Sequence, residues 1–140
     1  MAKILIIEDE QLVRESICEL LTLQGFEISS AGDGSSGLQL ARQLHPDLII
    51  CDITMPGING HEVLVTLQAD PETSSIPFIF LTARSDMEDL RKGMKLGADD
   101  YLSKPVIIDE LTAAVKARIT RHHKITKHYE EEITRTRSDL

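Results

Sequence analysis

The amino-acid sequence predicts an α/β, doubly wound fold, in which a parallel β-sheet is covered by helices on both faces. Two observations carry this expectation. Short, almost wholly apolar runs such as "KILIIED", "DLIICD" and "IPFIFLTA" alternate with amphipathic helical segments, and the cycle repeats five times over about 120 residues. The runs also lack the in–out alternation of a sheet with one wet face, so they need cover on both sides, as parallel strands do.

The elements follow in order. "KILIIED" (3–9) is a strand that ends in Glu8 and Asp9. In "EQLVRESICELLTLQGF", Leu12, Val13, Ile17, Leu20, Leu21 and Leu23 fall at helical spacing, and Gly25 stands where a helix ends. "FEISSA" is the second strand, "GDG" (32–34) a turn, and "SSGLQLARQLH" a helix stopped by Pro46. "DLIICD", the loop "MPGING" and the helix "HEVLVTLQAD" form the third unit, closed by Pro71. "IPFIFLTA" and "DMEDLRKGMKLGA" form the fourth, ending at Gly97, and "DYLSKP" with "IDELTAAVKARI" begins the fifth. Right-handed crossovers join such units.

The bulk properties set bounds. The 140 residues suffice for one domain with a sizeable core and some extra length. At 41% hydrophobic and 27% charged the composition is that of a globular protein, with only 4% aromatic residues and no Trp, so the core must rest on Leu, Ile, Val and Ala. No apolar stretch reaches membrane-spanning length, and "MAKILIIEDE" has no signal-peptide pattern, so a cytoplasmic location is the default expectation. Cys18 and Cys51 lie in apolar surroundings without metal-ligand spacing, and are read as reduced core thiols. Charge is unevenly spread. Residues 1–115 hold 8 Lys/Arg against 19 Asp/Glu, whereas 116–140 hold 7 against 4. An acidic body argues against nucleic acid as a direct partner.

In an open parallel sheet, ligands bind beyond the carboxyl ends of the strands, where strand order reverses. The residues there are Glu8 and Asp9 after the first run, Asp52 after the third, Thr82 and Ala83 at the fourth, and Lys104 at the fifth. The second offers only "SSAGDG", which suits an edge strand. Gathering Glu8, Asp9 and Asp52 is costly without a cation, and few hard oxygen ligands suit Mg²⁺ shared with phosphate. Lys104 would meet one phosphoryl oxygen and the Thr82 hydroxyl another. Asp52, alone at the end of a buried strand, is placed as a nucleophile that forms an aspartyl phosphate.

In "EDE" (8–10), "DITMPGING" (52–60), "LTA" (81–83) and "LGADDYLSKP" (96–105), in this order and after these strands, the sequence resembles a receiver domain of a two-component response regulator from residue 3 to about 120. The resemblance implies a flavodoxin-like sheet ordered 2-1-3-4-5, Mg²⁺, and phosphoryl transfer from a sensor histidine kinase or phosphotransfer protein to Asp52. It further implies metal ligation by Glu8, Asp9, Asp52 and the Thr54 backbone carbonyl. Thr82 matches the switch hydroxyl, Ala83 follows it with its backbone on the phosphoryl group, Lys104 matches the phosphate-binding lysine, and Tyr101 the aromatic group that turns inward when Thr82 engages. Pro105 matches a proline whose preceding bond is usually cis. Thr54 and Arg84 occupy positions that vary in the family, and both would flank the phosphoryl group and tune its lifetime.

Other features have plainer readings. Glu10 is a solvated residue opening the first helix, and Gly32, Gly34, Gly57 and Gly60 are backbone devices of loops. His45 and His61 are read as solvent-facing, and His122, His123 and His128 as exposed in the basic tail. The chain divides into a receiver (1–120) and a basic helical extension or linker (121–140). In the tail, Val115, Ile119, His122, Thr126, Tyr129, Ile133, Thr136 and Leu140 make a weak heptad. A dimerising helix joining two copies, a linker to an output protein or domain, and a solvated extension all remain open for it.

The switch reading predicts a changed surface on the fourth helix, last strand and last helix upon phosphorylation. Against it stand the N-terminal receiver of a larger hybrid kinase or output-domain protein, and a phosphatase working through an aspartyl phosphate. The phosphatase chemistry wants an acid two residues past the nucleophile, where this chain has Thr54. A flavin or nucleotide module would need a phosphate-binding loop where three acids stand, and a docking module without phosphorylation would leave the full set of site residues unexplained.

Overall fold

The computed structural model describes residues 1–83 and 86–120. Strands β1 (Lys3–Ile7), β2 (Glu27–Ala31), β3 (Leu48–Asp52), β4 (Phe78–Ala83) and β5 (Asp100–Lys104) pair in parallel in the order β2-β1-β3-β4-β5. Helices α1 (Gln11–Leu23), α2 (Gly34–Leu44), α3 (Gly60–Ala69) and α4 (Met87–Lys95) follow the first four strands, and α5 (108–120) follows the fifth. Class and strand order are those expected. The proposed extension of α5 and the heptad positions beyond Ile119 lie outside the described residues, as do the three tail histidines and Arg84.

The near-continuous apolar strands have the expected cause. Leu5, Ile7, Ile49, Cys51, Phe78 and Phe80 point to one face and pack with Leu38 and Ala41 of α2 and Val63, Leu64 and Leu67 of α3. Their neighbours Ile4, Ile6, Leu48, Ile50, Ile79 and Leu81 point to the other, against Ile17 and Leu21 of α1 and Leu111 and Val115 of α5. β1, β3 and β4 alternate as a pleat must, but both their sides are buried, so their sequences show no polar phase, whereas the edge strands β2 and β5 are partly exposed.

Local chemistry sets the helix ends. Asp33 caps α2 by accepting from the Ser36 N–H at 2.8 Å, and Asn59 caps α3 in a reciprocal box with Glu62. Gly25 and Gly97, at φ +93° and +109°, leave α1 and α4 through the left-handed region that glycine tolerates.

Two details depart from the sequence reading. Leu12 and Leu23 share the helical spacing of α1 but are 82% and 77% exposed, because they sit at its two ends on the outer side. Gly34 and Gly60 belong to helix openings rather than to loops. At Gly60 the reason is close approach. A Cβ there would collide with the Asp52 carbonyl oxygen, so the start of α3 presses directly on the end of β3.

Two glycine substitutions should therefore differ. At Gly37 a Cβ would meet Ile7 Cδ1 at 2.5 Å, a rotatable methyl, whereas at Gly60 it meets backbone. Gly60→Ala is expected to lower the urea midpoint by the equivalent of about 1–3 kcal/mol, and Gly37→Ala by less.

Candidate functional site

Strand order reverses between β1 and β3. The chain steps from β1 outward to β2, then returns across β1 to β3. Glu8 and Asp9 follow β1, and Asp52 ends β3, so the reversal places three carboxylates at one crevice. Their oxygens lie within 4.8 Å of one another. Lys104, the last residue of β5, reaches across β4 into the same space. Its Nζ lies 3.0 Å from Glu8 Oε2 and 3.1 Å from Asp52 Oδ2, and donates to Glu8 Oε1 at 3.2 Å.

Burial makes this cluster electrostatically strained. Glu8 is fully buried and Asp52 nearly so. Burial first, and the neighbouring Asp52 charge second, push the Glu8 carboxyl up to about 7. Burial raises Asp52 as well, against the opposing pull of Lys104. Burial acts to lower the Lys104 ammonium, but bonding to Glu8 and attraction to Asp52 outweigh it and leave it raised. When all groups ionise, three carboxylates face one ammonium. Glu8 Oε2 is buried and accepts no well-directed hydrogen bond. An excess of negative charge and a set of hard oxygen donors together fit a small divalent cation such as Mg²⁺.

Thr82 is buried at the end of β4, where its hydroxyl donates to the Ala83 carbonyl at 3.2 Å. In the β4–β5 ladder Thr82 pairs with Ser103 and Ala83 with Lys104. Tyr101, on β5, has its side chain outward and 42% exposed. Thr54 is exposed two residues beyond Asp52. The Lys104–Pro105 bond is cis, as expected. Glu8, Asp9, Asp52 and Lys104 are thus brought together, while Tyr101 stands away from them.

Two residues escaped the sequence reading. Arg14 of α1 donates through Nη1 to the Glu8 carbonyl at 2.7 Å, which braces the turn carrying Glu8 and Asp9. A basic residue in the second turn of an otherwise acidic helix was the only available signal. His61 is a correction, since it is buried rather than solvent-facing. Its Nε2 lies 2.8 Å from the Asp89 carbonyl oxygen of α4, and its ring packs edge-on against Phe80 at 5.6 Å. The helix-opening position suggested solvent, but α4 covers it. His45 is exposed, as expected.

Residues 4–116 match the family model described as "Response regulator receiver domain". The chain belongs to that family, whose general chemistry is phosphoryl transfer to an aspartate and whose members generally bind Mg²⁺. It is similar to the DNA-binding response regulator MtrA of Mycolicibacterium smegmatis, at 40% identity over 86% of this chain and 51% of that protein. It is also similar to the transcriptional regulatory protein HprR of Escherichia coli, at 41% identity over 91% of this chain and 56% of that one. A response regulator receiver domain protein from Clostridium thermocellum matches in structure with a TM-score of 0.84 and 31% identity, over 89% of this chain and 99% of that one. The chain spans about half the length of the curated relatives it matches. Among the described residues no helix is long and apolar enough to cross a membrane.

The raised Glu8 carboxyl fixes the sign of a pH effect. The folded protein holds that proton more tightly than the unfolded chain, so burying Glu8 costs nothing below the ordinary value of 4.5 and its full amount above about 7. Metal-free protein is expected to lose stability as pH rises through this window, by urea unfolding in the presence of a chelator. Glu8→Gln should flatten that fall, and Mg²⁺ should offset it in the wild type.

Proposed function

We propose that this chain is a phosphorylation-controlled switch in which Asp52 accepts a phosphoryl group from a phosphohistidine of a sensor histidine kinase or phosphotransfer protein. The observation that carries this reading is the Lys104 ammonium held between Glu8 and Asp52, at 3.0 and 3.1 Å, with Thr82 at the neighbouring strand end. A carboxylate oxygen of Asp52 forms the new bond to phosphorus as the bond to the donor imidazole nitrogen breaks, and the electron pair leaves with that nitrogen. Lys104, already at Asp52, pairs with a phosphoryl oxygen carried on that carboxylate. Thr82 turns its hydroxyl from the Ala83 carbonyl to another oxygen, Ala83 offers its backbone N–H, and Tyr101 follows inward. The surface of α4, β5 and α5 changes as a result.

Glu8, Asp9, Asp52 and the Thr54 carbonyl would hold Mg²⁺. When bound, it neutralises charge on the carboxylates and on the phosphoryl oxygens. Arg14 positions the Glu8 turn. The reading of a phosphatase is disfavoured because Thr54 cannot serve as the acid–base group, so we place the protein among phosphoacceptors rather than turnover enzymes.

The relatives named as DNA-binding and transcriptional regulators support a further reading. The chain serves as the receiver of a longer regulator, and an output domain carries any contact with DNA. The argument from acidity then applies to residues 1–115, which hold 8 Lys/Arg against 19 Asp/Glu, and not to a whole regulator.

Incubation with acetyl phosphate and Mg²⁺ should add the mass of one phosphoryl group to the wild type and none to Asp52→Asn. Sustained release of phosphate from a small phosphomonoester would instead support the phosphatase. Thr54→Asn and Arg84→Ala are each expected to change the phosphoryl lifetime several-fold, measured by the decay of the phosphorylated species. Lifetimes equal to that of the wild type would remove both side chains from the mechanism.

A further inference from the structure

Helix α4 is fastened to the body sparingly. Of its residues only Leu90 and Gly93 are buried, and its exposed side chains include Met87 and Met94. Gly93 lies so close to Phe80 that a Cβ would stand 2.5 Å from Phe80 Cε2. The opposite attachment is polar. A carbonyl oxygen can only accept, so His61 Nε2 carries the proton and donates to Asp89 O at 2.8 Å, in the first turn of α4. The same imidazole packs edge-on against Phe80, at 84° between planes.

On its other side His61 is tied to the phosphoacceptor strand. It follows Gly60, whose N–H donates to the Ile53 carbonyl at 2.8 Å and whose Cα presses on the Asp52 carbonyl. The start of α3 therefore contacts the end of β3 behind Asp52 and, one residue later, the start of α4. This link passes through neither Thr82 nor Tyr101.

We infer that His61 is a positioning residue, a tether that holds α4 in the arrangement with Tyr101 outward and restrains its movement until Asp52 is phosphorylated. The part concerning phosphorylation rests on the function proposed above. A contact made in one arrangement and lost in the other shifts their balance by its own net strength, and for a hydrogen bond of this kind that is roughly fivefold.

The test uses the full chain and three variants. His61→Leu and His61→Phe remove the donor while keeping an apolar filling, and His61→Gln keeps a donor of similar reach. Amide hydrogen exchange in unphosphorylated protein should quicken roughly fivefold at Leu90–Gly93 in the Leu and Phe variants, with β1 and β3 unchanged, and should stay closer to wild type in the Gln variant. Unchanged exchange in α4, or an equal rise throughout the core, would overturn the tether. The rate of phosphorylation by acetyl phosphate should rise by a similar factor in the Leu and Phe variants. An equal rate, given a phosphorylated wild type, would overturn the restraint. A wild type that takes no phosphoryl group would refute the function proposed above and leave the exchange result to decide the tether.

Discussion

The structure is organised around a charge imbalance that the fold itself creates. Glu8, Asp9 and Asp52 meet because the sheet reverses its order between β1 and β3, and one ammonium, Lys104, stands against the three. Such a cluster is expensive in a buried setting. Its cost is visible in the Glu8 carboxyl, which holds its proton up to about 7. The remedy is a cation or a group that brings one, and this is why the most strained part of the molecule is also the part suited to phosphoryl chemistry.

Other features follow from keeping that cluster in place. Arg14 holds the Glu8 carbonyl from α1, and Gly60 lets α3 lie against the Asp52 carbonyl. The two apolar layers clamp β1 and β3 from both faces, so the strand ends have little freedom to move apart. Rigidity there contrasts with α4, which buries only Leu90 and Gly93 and is held by hydrogen bonds from His61 at its first turn and from Gln68 to the Leu96 carbonyl at its end. On the function proposed above, a phosphoryl group added to this rigid centre would act through an element that yields, and α4 would be that element.

Much of this was legible in the sequence, for physical reasons that differ by residue. β1, β3 and β4 announced themselves because both their faces are buried, which leaves apolar runs with no polar phase. Glu8, Asp52 and Lys104 were legible because charges seldom terminate such runs without a partner. What escaped were properties set by contact between elements distant in sequence. His61 looks solvent-facing from its own helix, and only α4, 28 residues away, buries it. Leu12 and Leu23 face outward because, at about 100° per residue, they lie on the side of α1 opposite Ile17 and Leu21. Gly60 reads as a loop glycine until the Asp52 carbonyl is seen against it. Arg14 has no motif at all. It matters because a backbone carbonyl six residues earlier lies within its reach.

Thr54 bears on a different contrast, between a switch and a catalyst. Both need a carboxylate nucleophile and charge neutralisation, and this site supplies the carboxylate of Asp52 with the Lys104 ammonium 3.1 Å from it. They part at hydrolysis. A phosphatase places an acid beside the nucleophile to activate water, so the acyl phosphate is short-lived by design. Here that place is held by an exposed threonine, which has no proton to take up or give at neutral pH. If Asp52 accepts a phosphoryl group as proposed above, the acyl phosphate would have no neighbouring acid to hasten its hydrolysis, and its persistence would serve as the signal.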